Sequence, residues 1–231
     1  MSVMKEALLE GLEKLNLPTE AADRLCAFGE AVVEQNKVMN LTAITEPSQV
    51  AKLHLLDSVS LLTLEDLSGK RMIDVGCGAG FPGVPVKIAC PGVKLTLLDS
   101  LGKRMAWLET VLPTLGVDAE CVTARAEEAI TERRESYDIA TSRAVARLNV
   151  LLELTAPYVK VGGKVLAMKG GAAMEELAEA QKAVKALGLE VERIVDFPEV
   201  ENGHTVIIFK KVASTPKQYP RRYAKIKQAP L

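Results

Sequence analysis

Apolar and polar positions follow two different periods along this chain. Up to about Gly69 the period is helical. Leu8, Leu9, Leu12 and Leu15 recur at the three- and four-residue spacing of one helix face. After a break at Pro18, with Thr19 placed as an N-cap, Ala22, Leu25, Phe28, Gly29, Val32 and Val33 carry an apolar stripe towards Asn36. NKVMNLTAITEP then reads as a loop, and the run containing HLLDSVSLL as helix again. From Arg71 short apolar strands alternate with helical runs. MIDV, KLTLLD, AECVTA, YDIATSR and KVLAMKG are the strands, and the last is followed by a long helix from about Ala173 to Leu187. VERIVDF and TVIIFKK are separated by the turn-prone ENGH, too short for a crossover helix, so this pair is an antiparallel hairpin.

The pattern predicts an α/β fold of the Rossmann-like kind, with a seven-stranded, mostly parallel sheet containing one antiparallel strand. Residues 1–69 form an N-terminal helical segment, 70–213 the sheet domain and 214–231 a basic tail. The tail, TPKQYPRRYAKIKQAPL, holds five cations and no acid, and its three prolines argue against a regular element.

Composition narrows the setting. With 231 residues, 48% of them hydrophobic, the chain can bury one sizeable core. The net charge of -1 means that a polyanion could be met only through a local basic patch. Cys26, Cys77, Cys90 and Cys121 show no CxxC spacing, and His54 and His204 are far apart, so neither a zinc site nor a disulfide framework is expected. Glu6, Glu10 and Glu13 interrupt any signal sequence, and charges interrupt every apolar run before membrane length. A reduced, cytoplasmic setting follows, and nothing requires more than a monomer.

Candidate chemistry centres on DVGCGAGFPG, Asp74 to Gly83, between the first strand and its helix. Gly76, Gly78 and Gly80 permit a tight turn and let a ligand approach the backbone, while the helix start offers N–H groups to an anion. NAD enzymes, FAD enzymes and methyltransferases all use such a loop. Asp74 would repel a pyrophosphate but could hold the ammonium of a methionine moiety, which favours S-adenosylmethionine. Asp99, at the end of the second strand, suits ribose hydroxyls in either cofactor. Arg125, Arg143 and Lys169 occupy the ends of the third, fourth and fifth strands, where cations could hold RNA phosphates or a cofactor carboxylate. His54 and Asp57 share a helix face and border the pocket or simply pack; Asn40 reads as a loop residue and Cys77 as a small filler. In the tail, Lys217, Arg221 and Arg222, with Tyr219 and Tyr223 between the cations, suit single-stranded RNA; the alternative is a solubilising end.

DVGCGAG looks like motif I of the Rossmann-like methyltransferases. GAGFPGVP, read with LLDSLGKR, TSRAVA, the opening NKVMNLTAI and the tail TPKQYPRR, resembles the small-subunit ribosomal RNA guanine-N7 methyltransferase family, RsmG or GidB. The resemblance implies S-adenosylmethionine as cofactor, contacted by Gly76, Phe81, Ala126, Glu127 and Arg143. It also implies a guanine in the 530 loop of 16S ribosomal RNA as substrate, free or in an assembling small subunit. N7 of guanine is nucleophilic without losing a proton, so no general base is needed. Other readings are a methyltransferase for another RNA, a small molecule or a protein, a nicotinamide-dependent oxidoreductase, and a non-catalytic RNA-binding or assembly factor.

Overall fold

Alternation along the strands decides which helices the sheet collects on each face. In the computed structural model, which describes residues 2–197 and 204–231, the strands are β1 (Arg71–Val75), β2 (Lys94–Asp99), β3 (Glu120–Thr123), β4 (Tyr137–Arg143), β5 (Val159–Lys169), β6 (Leu189–Phe197) and β7 (His204–Lys211). They form one sheet in the order β3-β2-β1-β4-β5-β7-β6. β1 pairs in parallel with β2 and β4, and β7 runs antiparallel to both β5 and β6. The expected antiparallel pair is therefore present, with Phe197 opposite His204; residues 201–203 of the expected turn ENGH lie outside the described residues.

Leu166, Met168, Val206 and Ile208 point into one apolar core; their neighbours Val165, Ala167, Ile207 and Phe209 point into a second on the opposite face. The first core is covered by α1 (Val3–Lys14) and α2 (Ala22–Asn36), together with α5 (Gly83–Ala89) and α6 (Gly102–Thr114). A composite helix joins them: α3 (Pro47–Val50), a π-helical turn Ala51–Leu56, α4 (Asp57–Val59) and a 3-10 turn Ser60–Thr63. Leu8, Leu12, Phe28 and Leu55 thus share a core with Leu97 and Leu166 of the sheet, so the N-terminal helices close the domain's own interior.

The second face carries α7 (Ala126–Ala129), α8 (Leu148–Thr155), α9 (Ala173–Glu179), α10 (Gln181–Ala186) and α11 (Tyr223–Gln228). Two expectations change here. The single helix over 173–187 is two helices meeting at Ala180, where ψ of 2° leaves the ladder and Gln181 Nε2 takes the Leu177 carbonyl at 2.9 Å. The tail is not irregular throughout, because the stretch between Pro220 and Pro230 is long enough for the short helix α11, which buries Ile226 in the second core.

Phe28 lies on the seam between the N-terminal helices and the sheet, with its ring 5.3 Å from Phe81 and 6.5 Å from Trp107. Phe28→Ala should cost about 3–5 kcal/mol in urea unfolding. Far-UV dichroism and Trp107 fluorescence should follow one shared transition; two separated transitions would mean that the helices fold as their own unit.

Candidate active site

The C-terminal ends of β1, β2, β4 and β5 open onto a cleft of about 1120 Å³. Its floor is the glycine loop after β1. Gly76 N and Cys77 N donate to the Leu98 carbonyl at 2.7 and 3.1 Å, pinning the turn to β2. Gly76 has φ of +72°, and a Cβ there would come within 2.5 Å of Val145 Cγ2, so the turn needs glycine. At Gly78 a Cβ would find only the tip of Arg104 within 4 Å, which leaves bare backbone facing the cleft.

Asp99 stands beside that bare backbone. Its Oδ2 accepts from Gly78 N at 2.9 Å and its Oδ1 from Leu101 N at 2.8 Å. Each oxygen keeps a lone pair for a ligand in the cleft. Asp74 is different, because it stands back from the cleft wall. β1 turns Met72 and Asp74 towards the face that α5 covers, and Asp74 is fully buried rather than part of the cleft wall. Its Oδ2 accepts from Gly83 N at 2.8 Å, so the first N–H of α5 is met by a protein carboxylate. Its Oδ1 has no hydrogen-bond partner among the described residues, and burial pushes the carboxyl up to about 7 despite the opposing pull of Gly83 N and Arg143.

One side of the cleft is a charged network. Arg143 Nη1 donates to Asp57 Oδ2 at 2.7 Å and to the Leu53 carbonyl at 3.0 Å, and its guanidinium lies 5.0 Å from the Phe81 ring centroid. Asp57 Oδ1 is 2.5 Å from His204 Nδ1. Burial raises the Asp57 carboxyl, but His204 and Arg143 outweigh it and hold the group below its ordinary value. His54 stacks on Phe81 at 4.8 Å and lies 2.7 Å from Thr42 Oγ1. Burial, then Arg143, drives His54 down to about 4, so it is neutral at pH 7. His54 and Asp57 therefore border the cleft, brought together by the π-helical turn, a feature frequent at functional sites.

The opposite side is formed by Arg125, Ala126 and Glu127 at the start of α7, with Tyr223 of the tail. Of the three strand-end cations, Arg125 is exposed and makes no ion pair among the described residues, its guanidinium 5.7 Å from the Tyr223 ring centroid. Arg143 is committed to Asp57. Lys169 is nearly buried, 2.7 Å from Glu176 Oε2 and donating to the Ala146 carbonyl at 2.8 Å, which removes it as a free phosphate ligand. Arg221 is likewise turned inward, 2.6 Å from Glu153 Oε2, while Lys217 and Arg222 face solvent. Cys77 is buried as a filler with its thiol pushed well above the ordinary value by burial. Sequence reasoning missed His204, whose place is set by hairpin register, and read Tyr223 only as an RNA-stacking residue of the tail, not as part of the cleft.

A family model described as rRNA small subunit methyltransferase G, GidB, matches residues 21–205. The chain belongs to this family. It is 45% identical to the "Ribosomal RNA small subunit methyltransferase G" of Alkaliphilus oremlandii over 236 residues, covering 99% of both chains. It is 43% identical to the protein of that name from Desulfitobacterium hafniense, covering 94% of this chain and 92% of the other. Among solved structures the fold is similar to a TehB-like SAM-dependent methyltransferase from Corynebacterium glutamicum, with a TM-score of 0.53 at 15% identity, covering 80% of this chain and 98% of that one. It is also similar to Aeropyrum pernix fibrillarin in complex with natively bound S-adenosyl-L-methionine, with a TM-score of 0.50 at 15% identity, covering 62% and 66%.

In this GidB-family chain the Asp74 carboxyl has a testable signature. Its folded value of about 7 lies above the ordinary 3.8, so the folded state holds the proton more tightly. The stability this confers is complete below 3.8 and is lost as pH rises through 7. Asp74→Asn, which keeps an acceptor for Gly83 N, should be more stable than the parent, with an advantage that grows by on the order of 1 kcal/mol or more between pH 5 and 8. Urea unfolding at the two pH values measures it; a constant difference would place the carboxyl's titration elsewhere.

Proposed function

We propose that this chain transfers a methyl group from S-adenosylmethionine to N7 of a guanine in the 530 loop of 16S ribosomal RNA, acting as a monomer in the cytoplasm. The observation that carries this reading is the juxtaposition, in a GidB-family chain, of bare Gly78 backbone with the Asp99 carboxylate on the floor of one large cleft. Those residues fit the cofactor. Asp99 retains lone pairs for two ribose hydroxyls, Gly76 and Gly78 allow close approach of its body, and Ala126 and Glu127 offer an apolar and a polar group for the purine. When bound, the cofactor supplies an electrophilic methyl group.

The chain's own part is positioning. N7 carries a lone pair and needs no proton removed, so rate comes from holding donor and acceptor in line. The Arg143–Asp57–His204 network and the stacked His54 and Phe81 give the acceptor side rigid walls. A neutral His54 adds no positive charge beside a base that becomes cationic on methylation. Arg125, Lys217 and Arg222 are the solvent-facing cations for the RNA backbone. Lys169 and Arg221 act through their carboxylate partners, Glu176 and the buried Glu153, instead.

Incubation with radiolabelled S-adenosylmethionine and 16S RNA, free or within small subunits, should label one guanine, and chemical cleavage at N7-methylguanine should map it to the 530 loop. RNA binding without label transfer would support a non-catalytic assembly factor. Asp99→Ala should weaken cofactor binding by about 1–3 kcal/mol in a calorimetric titration, and undiminished affinity would place the ribose elsewhere.

A further inference from the structure

We infer that the C-terminal segment is a wall of the cofactor cleft: Tyr223 closes its purine end, and the buried Glu153–Arg221 pair is the latch that holds Tyr223 there. The inference rests on the reading that S-adenosylmethionine binds with its purine beside Ala126 and Glu127.

Tyr223 borders the same cleft as those two residues and is tied to them directly. Its backbone N donates to Glu127 Oε1 at 3.2 Å, and its ring carries the Arg125 guanidinium. An aromatic side chain in that place supplies apolar surface for a purine. What keeps a short helix from swinging away is the chemistry beneath it. Glu153 of α8 is fully buried, and a buried carboxylate is strongly unfavourable unless paired. Arg221 meets it three times, from N and Nε to Oε1 at 2.9 and 2.8 Å and from Nη2 to Oε2 at 2.6 Å. Withdrawing the guanidinium would leave that charge buried alone, so the segment is fixed two residues before Tyr223. Two further ties flank the latch: Arg134 Nη2 donates to the Tyr219 carbonyl, and Ile226 is fully buried in the core that includes α8. Arg221 is thus a positioning residue, and Tyr223 the group that touches the ligand.

The test uses calorimetric titration of the full chain with S-adenosylhomocysteine and with methylthioadenosine, which has the purine and ribose but no amino acid. Tyr223→Ala should weaken both ligands by the same factor, about five- to twentyfold, and Tyr223→Phe should stay within about twofold of the parent. Arg221→Ala should show a similar loss, and the double variant should lose little more than either single one, the non-additivity expected of a latch and the group it positions. Arg221→Lys, which keeps a cation against Glu153, should recover part of the affinity. If Arg221→Ala fails to fold, as dichroism would show, the partly exposed Tyr223 still decides the matter. Unchanged affinity of Tyr223→Ala for both ligands overturns the inference, and so does a loss confined to S-adenosylhomocysteine, which would move the ring to the amino-acid end. If the parent chain binds neither nucleoside, the cofactor reading itself falls, an outcome separate from the tail variants.

Discussion

Strand β1 is paired in parallel with β2 on one side and β4 on the other, and the connections from β1 and β4 leave on opposite faces of the sheet. A gap must open where they part, at the C-terminal ends of the strands. The glycine loop, Asp99 and Arg143 occupy the ends of three adjacent strands at that gap. Their proximity is a consequence of hydrogen-bond register and requires no further arrangement. The N-terminal helices supply what the sheet lacks, since they bring Thr42, His54 and Asp57 to one rim while their apolar faces fill the core beneath.

Buried charge is the second organising theme. Arg143 is neutralised by Asp57, Lys169 by Glu176 and Glu153 by Arg221. Lys211 is fully buried as well, held by the carbonyls of Ala156 and Val159 at 2.8 and 3.3 Å and lying 3.4 Å from Glu135 Oε1; burial pushes its ammonium down to about 8. Such pairs add little net stability compared with apolar packing, but each permits few arrangements of the groups it joins. Here they fix the junctions between sheet, N-terminal helices and tail, which apolar contact alone would specify only loosely.

The seven strands, their antiparallel member and the glycine loop were legible because apolar period and turn residues are local signals. Asp99 was legible as a position at a strand end, whereas Ala126 and Glu127 were singled out only through the family resemblance. The partners of charged residues were not legible. Lys169 and Arg221 carry no mark in the sequence that reserves them for Glu176 and Glu153, because those pairings depend on how α8, α9 and the tail pack. The burial of Asp74 was not legible either, because strand parity, not motif, turns it away from the cleft wall. The family match over 21–205 supports the choice of S-adenosylmethionine independently of that residue. The π-helical turn also left no trace in the helical period of HLLDSVSLL.

The Glu153–Arg221 pair spans 68 positions of sequence, and this separation has a temporal side. During synthesis α8 emerges well before residue 221 does. Until then its glutamate has no guanidinium to meet and must stay hydrated, so that face of the helix cannot be sealed. The nascent domain can set its strands in order, yet one wall of the cleft is completed only when Tyr223 arrives. The cleft is in this sense finished later than the sheet whose strand ends form its floor.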